Sequence, residues 1–135
     1  MSKQDPTVQK FMTCQPVVVE ADTSVAEAKL IMNEKKIRHL PVVSGLEVKG
    51  VLSDRDIKNA LSLQGADAQK MKVKDVCIDH PFLTEPDRPL ADVAEEMARH
   101  HYGCAIVMQN HKVVGIFTTV DACRAIHDIL TTRHH

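Results

Sequence analysis

The stretch Gly50-Val51-Leu52-Ser53-Asp54-Arg55-Asp56 decides how this chain folds. Its apolar half, from Val48 to Leu52, reads as the end of a buried strand, and the chain turns at once into a helix that begins near Asp54. Ser53 and Asp54 then sit where the backbone N–H groups of a new helix point outward, which suits an anion. Asp56, one turn in, offers a carboxylate that accepts two hydrogen bonds from a vicinal diol such as a ribose. Ser-x-x-Asp after a strand is also an ordinary helix cap, and the stretch alone does not separate the two.

Working outward, the stretch recurs. Gly115-Ile116-Phe117-Thr118-Thr119-Val120-Asp121 repeats the Gly, Ser/Thr and Asp at a constant offset of 65 residues, 115 against 50 and 121 against 56. The same offset pairs Val8 with Val73, Pro16 with Pro81, Asp22 with Asp87, Met32 with Met97 and Val48 with Val113, without a gap. A tandem repeat of this period is too long for a solenoid unit and implies two half-domains.

Each half reads strand, helix, strand, strand, helix. Met1 to Thr7 is a polar leader, and Val8 to Met12 makes a helical turn. In the first repeat (8–63) a strand covers Pro16 to Val19, and a helix starts at Ser24, which has Glu27 at capping spacing. Val25, Ala28, Ile31 and Met32 share one helical face. Leu40 to Val43 and Val48 to Leu52 form a hairpin, in which Pro41 suggests an edge or an unpaired N–H side. The helix from Asp54 runs to about Leu63. Residues 64–72 are a polar linker. The second repeat (73–130) opens with a short turn at Val73 to Val76. It continues with a strand at Phe82 to Thr84 and a helix from Pro89 to His100 that turns Leu90, Val93 and Met97 inward. A hairpin at Ala105 to Met108 and Val113 to Phe117 follows, then a helix from Val120 to Leu130. Residues 131–135 are a tail, with His134-His135 read as the remains of an expression tag. The expected class is α+β, with the two repeats packed through their sheets about an approximate two-fold axis.

Composition removes several function classes. At 135 residues the chain is long enough to bury a core, and its net charge of −1 provides no field for nucleic acid or an acidic membrane. Lys70, Lys72 and Lys74 make only a poor basic stripe. No apolar run approaches the ~20 residues needed to span a bilayer, and no signal peptide is present. Four cysteines without close spacing fit a reducing cytoplasm, with Cys14, Cys77 and Cys123 expected to pack as small apolar groups. His100, His101 and Cys104 do not complete a metal ligand set. No nucleophile elbow, P-loop or paired-cysteine zinc motif is found, so no catalytic or metal residue is assigned and no enzyme activity is expected.

The order of elements, with Gly-apolar-apolar-Ser/Thr-x-x-Asp closing each half, resembles the CBS domain family. Two such domains in tandem resemble a Bateman module. The resemblance rests on Pro16-Val17-Val18, Arg38-His39-Leu40-Pro41-Val42-Val43 and Gly50 to Asp56 in the first half. In the second it rests on Pro81-Phe82, Gly103-Cys104-Ala105-Ile106-Val107 and Gly115 to Asp121. It implies a regulatory, energy-sensing module that needs no cofactor and binds AMP, ADP or ATP between the repeats, with S-adenosylmethionine as the alternative ligand. Carried over residue by residue, Asp56 and Asp121 hold ribose hydroxyls, while Ser53, Thr118, Arg38, His39 and Arg55 meet phosphate. Val17, Val18, Phe82, Leu83 and Tyr102 line the adenine, although Tyr102 equates with Ile37 and also suits partial core burial.

The second half has Gly103, Cys104 and Val120 where the first has Arg38, His39 and Arg55. The first pocket is therefore expected to take the more highly charged ligand. Arg38 and His39 also suit a solvated helix C-terminus, and Arg55 also suits pairing with Asp54. The expected whole is a stand-alone cytoplasmic homodimer signalling to an unknown effector protein, its dimer face drawn from Val25, Ile31, Leu90, Val93 and the terminal helices. A structural dimerisation module with vestigial clefts is the other class.

Overall fold

A computed structural model describes residues 5–132; the start of the expected leader and residues 133–135, with the His134-His135 end, lie outside them. In chain order, α1 is Val8–Phe11, β1 Thr13–Cys14, β2 Val19–Glu20, α2 Val25–Lys35, β3 His39–Ser44, β4 Glu47–Ser53 and α3 Asp54–Leu61. A 3-10 turn at Val73–Asp75 precedes β5 Leu83–Thr84, α4 Leu90–His100, β6 Cys104–Gln109, β7 Lys112–Thr118 and α5 Thr119–Thr132. The fold is mixed α+β, and strand, helix, strand, strand, helix occurs twice, as expected. Two compact units divide the chain: Val17–Pro81, and the segment ending at Pro16 joined with the chain from Phe82 onward.

The Val17–Pro81 unit has a sheet in the order β2-β3-β4. β2 runs parallel to β3, with Val19 opposite Val42, and the β3–β4 hairpin sets His39 opposite Ser53. Ser24 caps α2 by accepting from the Glu27 N–H at 3.1 Å. Val25, Ala28 and Met32 then bury against Leu40, Val42, Leu52, Ile57 and Val73, while Ile31 is only partly buried. The polar connection after α3 is tied to this unit. The N–H groups of Val25 and Ala26 at the start of α2, which lack partners within the helix, donate to the carbonyls of Met71 and Ala68.

Pro41 is not at an edge, because β3 is the central strand, and of the two expectations it is the unpaired N–H side that fits. Val51, opposite Pro41, donates its N–H away from β3, to the Ile78 carbonyl at 3.0 Å. In an antiparallel ladder the Pro41 nitrogen must then also face away from β4. That is the β2 side, and β2 begins its pairing one residue later, at Val42. At the equivalent place in the other unit the Ile106 N–H donates to the Phe82 carbonyl at 2.9 Å, a bond that Pro41 cannot make.

The other unit has the order β1-β7-β6-β5. Its hairpin turns at Asn110 and His111, both left-handed (φ 53° and 65°), as a two-residue type I′ loop requires. Leu90, Val93 and Met97 of α4 are buried with Val8 of α1, Phe82, Phe117 and Ala125. Pro89 stands at the cap position of α4. α5 continues through Thr132, taking in the first two residues of the expected tail. The strand expected at Pro16 to Val19 is confined to Val19–Glu20, and that expected from Phe82 starts at Leu83.

Sequence pattern alone does not reveal β1. Two residues are too few for an alternation, and Thr13–Cys14 is a strand because β7 pairs with it, Thr13 opposite Ile116 and Cys14 opposite Gly115. At the same 65-residue offset, Ile78 makes a two-bond bridge with Val51. Both pairings depend on the repeated glycine. A Cβ at Gly50 would run into the Ile78 carbonyl oxygen, and one at Gly115 into the Met12 thioether.

Two further expectations are corrected. Cys14 and Cys123 are exposed, against expectation, while Cys77 is half-buried against the core of its unit; Cys104 is buried, which pushes its thiol up to about 12. Val25, Leu90 and Val93 fill the cores of their own units and present no dimer face. Among the described residues, the large exposed apolar side chains on helices are Leu30 of α2 and Val120, Ile126 and Leu130 of α5.

Candidate ligand sites at two helix starts

Ser53 and Asp56 cap α3 reciprocally. The Ser53 hydroxyl accepts from the Asp56 N–H at 3.1 Å, and Asp56 Oδ2 accepts from the Ser53 N–H at 3.0 Å. The Asp54 N–H donates to the Arg38 carbonyl at 2.9 Å. The N–H groups expected to be open to an anion at Ser53 and Asp54 are thus already used, since a helix start satisfies its donors wherever the chain supplies acceptors. Asp56 Oδ1 accepts no hydrogen bond among the described residues, and the side chain is only half-buried.

The three basic residues expected to meet phosphate belong to the same unit. Arg38 is exposed, and half-buried His39 lies opposite Ser53 in the ladder. Burial holds the His39 imidazole below its ordinary value and Arg38 adds to this, while Asp56 and Asp54 pull the other way. Arg55 is exposed and enters no ion pair among the described residues, because Asp54 pairs instead with Lys58 at 3.2 Å. Val17 is partly buried against the core of this unit and Val18 is exposed. Cys77, also in this unit, has its thiol pushed up by burial, with the Asp79, Asp56 and Asp75 charges adding to the effect.

The second motif is more tightly closed. Asp121 Oδ2 accepts from the Thr118 N–H at 2.9 Å and from the Thr118 hydroxyl at 3.1 Å. The Asp121 N–H donates back to Thr118 Oγ1 at 3.3 Å. The Thr13 hydroxyl of β1 reaches both carboxylate oxygens, at 3.4 and 3.5 Å, and Arg124 approaches Oδ1 at 3.7 Å. Asp121 retains only 5% exposure.

Phe82 is buried and stacks on Tyr102 with ring centroids 5.0 Å apart, while His100 stacks on Tyr102 at 5.2 Å. Leu83 is exposed. Arg88 lies over Phe82 at 5.7 Å and pairs with Glu96 at 2.8 Å. The structure thus places Arg38, His39, Ser53, Arg55, Asp56, Val17 and Val18 in one unit, and Phe82, Leu83, Tyr102, Thr118 and Asp121 in the other. Sequence comparison of the repeats missed Thr13 and Arg124 beside Asp121. Arg124 is legible as an i,i+3 neighbour on the same helix. Thr13 needed the β1–β7 pairing.

A model of the CBS domain matches residues 8–63 and 73–128. The CBS domain-containing protein YhcV of Bacillus subtilis is 30% identical over 115 residues, 85% of this chain and 81% of that one. A homoserine O-acetyltransferase of Methanosalsum zhilinae is 30% identical over 112 residues, which cover 82% of this chain but only 22% of the enzyme. The chain corresponds to only a part of such an enzyme. Among solved structures, a Vibrio cholerae protein named for acetoin utilization (AcuB) superposes with a TM-score of 0.86 at 25% identity, over 97% of each chain. The CBS domain pair of protein MJ0100, in complex with 5′-methylthioadenosine and S-adenosyl-L-methionine, superposes with a TM-score of 0.79 at 25% identity. That match covers 89% of this chain and 98% of that one. No helix among the described residues is long and apolar enough to cross a membrane.

Proposed function

Because the chain belongs to the CBS domain family as a tandem pair, we propose that it is a regulatory module whose Asp56 motif binds an adenosine-containing ligand. The observation that carries this is the half-buried Asp56 carboxylate. Oδ2 is held by the cap and Oδ1 accepts nothing from the described residues, so one oxygen is oriented while the other can receive a ribose hydroxyl. Arg38 and Arg55 of the same unit are cations for phosphate, which favours AMP, ADP or ATP over a sulfonium ligand that they would repel. The MJ0100 pair, bound to adenosyl compounds, supports the adenosine part. His39 is held toward its neutral form by burial, so an arriving phosphate would bind with proton uptake. Ligand that favours one arrangement of the module alters its affinity for an effector protein, and exposed Val120, Ile126 and Leu130 suit a second copy of the chain.

The reciprocal Ser53–Asp56 cap also supports a different reading, in which the motif survives as fold architecture and the module only dimerises. A thermal-shift series with AMP, ADP, ATP, S-adenosylmethionine and GTP decides between them. Ligand at ~100 times its dissociation constant adds about 2.7 kcal/mol of stability. A rise with one adenosine ligand, absent for GTP and lost in Asp56→Ala, is the expected result. No rise with any of them leaves the dimerising scaffold.

A further inference from the structure

Lys10 and Phe11 of α1, with Arg124, His127 and Asp128 of α5, line an open cleft of about 430 Å³. Two permanent cations and an imidazole thus face one carboxylate, in a chain whose net charge is −1. Neither Lys10 nor His127 enters an ion pair among the described residues, and Lys10 Nζ lies 5.5 Å over the Phe11 ring. Arg124 has a three-quarters exposed side chain, and its approach to Asp121, at 3.7 Å, is to a carboxylate already engaged by Thr118 and Thr13. Like charges gathered from two elements this far apart in sequence repel one another until an anion arrives.

The fold does not require this cluster. At the 65-residue offset, Lys10, Arg124 and His127 correspond to Asp75, Asn59 and Ser62, so the other unit carries no cation at any of these positions. These three cations occur in one repeat only, and the other folds without them.

We propose that this cleft binds a small phosphorylated molecule with an aromatic body. Arg124 presents a planar donor fork to the phosphate, Lys10 adds a point charge, and the Phe11 ring packs against the body of the ligand. The site is separate from the Asp56 motif and does not rest on the function proposed for it.

Titration of the full chain with phenyl phosphate, inorganic phosphate and phenol at constant ionic strength, followed by amide NMR shifts, tests the assignment. Phenyl phosphate should give saturable shifts at Lys10, Phe11, Arg124 and His127, with tighter binding than inorganic phosphate and none for phenol. Lys10→Gln and Arg124→Gln should each weaken binding about tenfold without changing the melting temperature, since both side chains are exposed. Phe11→Leu should remove the preference for the phenyl group, and Asp56→Ala should change nothing. Shifts that never saturate, or that persist in Lys10→Gln and Arg124→Gln, overturn the proposal. So does a response confined to a poly-glutamate peptide, which would assign the cleft to an acidic protein partner.

Discussion

At Asp56 one carboxylate oxygen holds the helix cap and the other accepts nothing from the described residues. At Asp121 both oxygens are reached by side-chain donors and the group is almost fully buried. The backbones around the two carboxylates are alike: a strand, a Ser or Thr cap, and an extended arm lying across the strand's glycine. What differs is the arm residue at the equivalent position, Thr13 in one unit and Ile78 in the other. A hydroxyl satisfies the carboxylate that it faces, and an isoleucine cannot. Together with the Thr118 hydroxyl and Arg124, that arm side chain distinguishes a carboxylate with hydrogen-bonding capacity in reserve from one that is largely satisfied, although the sequence motif is the same.

The glycines should break the symmetry of the repeats most strongly. In Gly50→Ala the new methyl meets the backbone carbonyl of Ile78, which can move only if the bridge opens. In Gly115→Ala it meets the flexible end of Met12. Urea unfolding should show a loss of about 3 kcal/mol for Gly50→Ala and about 1 kcal/mol for Gly115→Ala. Equal losses would mean that the two arms are held in the same way.

The aspartates should follow in the opposite order. Asp121→Ala strands the Thr118 N–H and the Thr118 and Thr13 hydroxyls in a buried setting and should cost about 2 kcal/mol. Asp56→Ala removes only the reciprocal half of a partly exposed cap and should cost about 1 kcal/mol while abolishing the adenosine-ligand shift. In Thr13→Val the cost of Asp121→Ala should shrink, because one of the stranded donors is already gone.

The smallest effect is a pH dependence confined to the Asp56 unit. Burial lowers the folded-state value of His39 below the ordinary 6.5, so between the two values the unfolded chain binds the extra proton. Stability therefore rises with pH through that window and falls as the medium is acidified below about 6.5, levelling once the folded imidazole is itself protonated. His39→Gln should flatten this part of the curve, as read from denaturation midpoints between pH 5 and 7.5. An unchanged slope would place the titrating group elsewhere.

Much of this was legible in the residues. The 65-residue offset located both hairpins and both pairs of helices, because apolar periodicity and capping residues act over a few positions and reveal themselves locally. Ser24 capping α2, and Leu90, Val93 and Met97 buried on α4, are cases in which local chemistry and burial agree. Cys14 and Cys123 failed the same logic, since their surroundings are made by strand and helix placement and not by neighbours in sequence.

From its sequence alone this protein is a tandem α+β repeat with two Ser/Thr-x-x-Asp helix starts, because spacing and polarity patterns are carried by adjacent residues. Only the tertiary structure decided how each carboxylate is used. Thr13 reaches Asp121 across 108 positions of sequence, and Lys10 meets Arg124 and His127 in one cleft across more than a hundred. Contacts of that separation depend on which strand an arm pairs with, and a two-residue strand leaves no periodic trace by which the choice could be read.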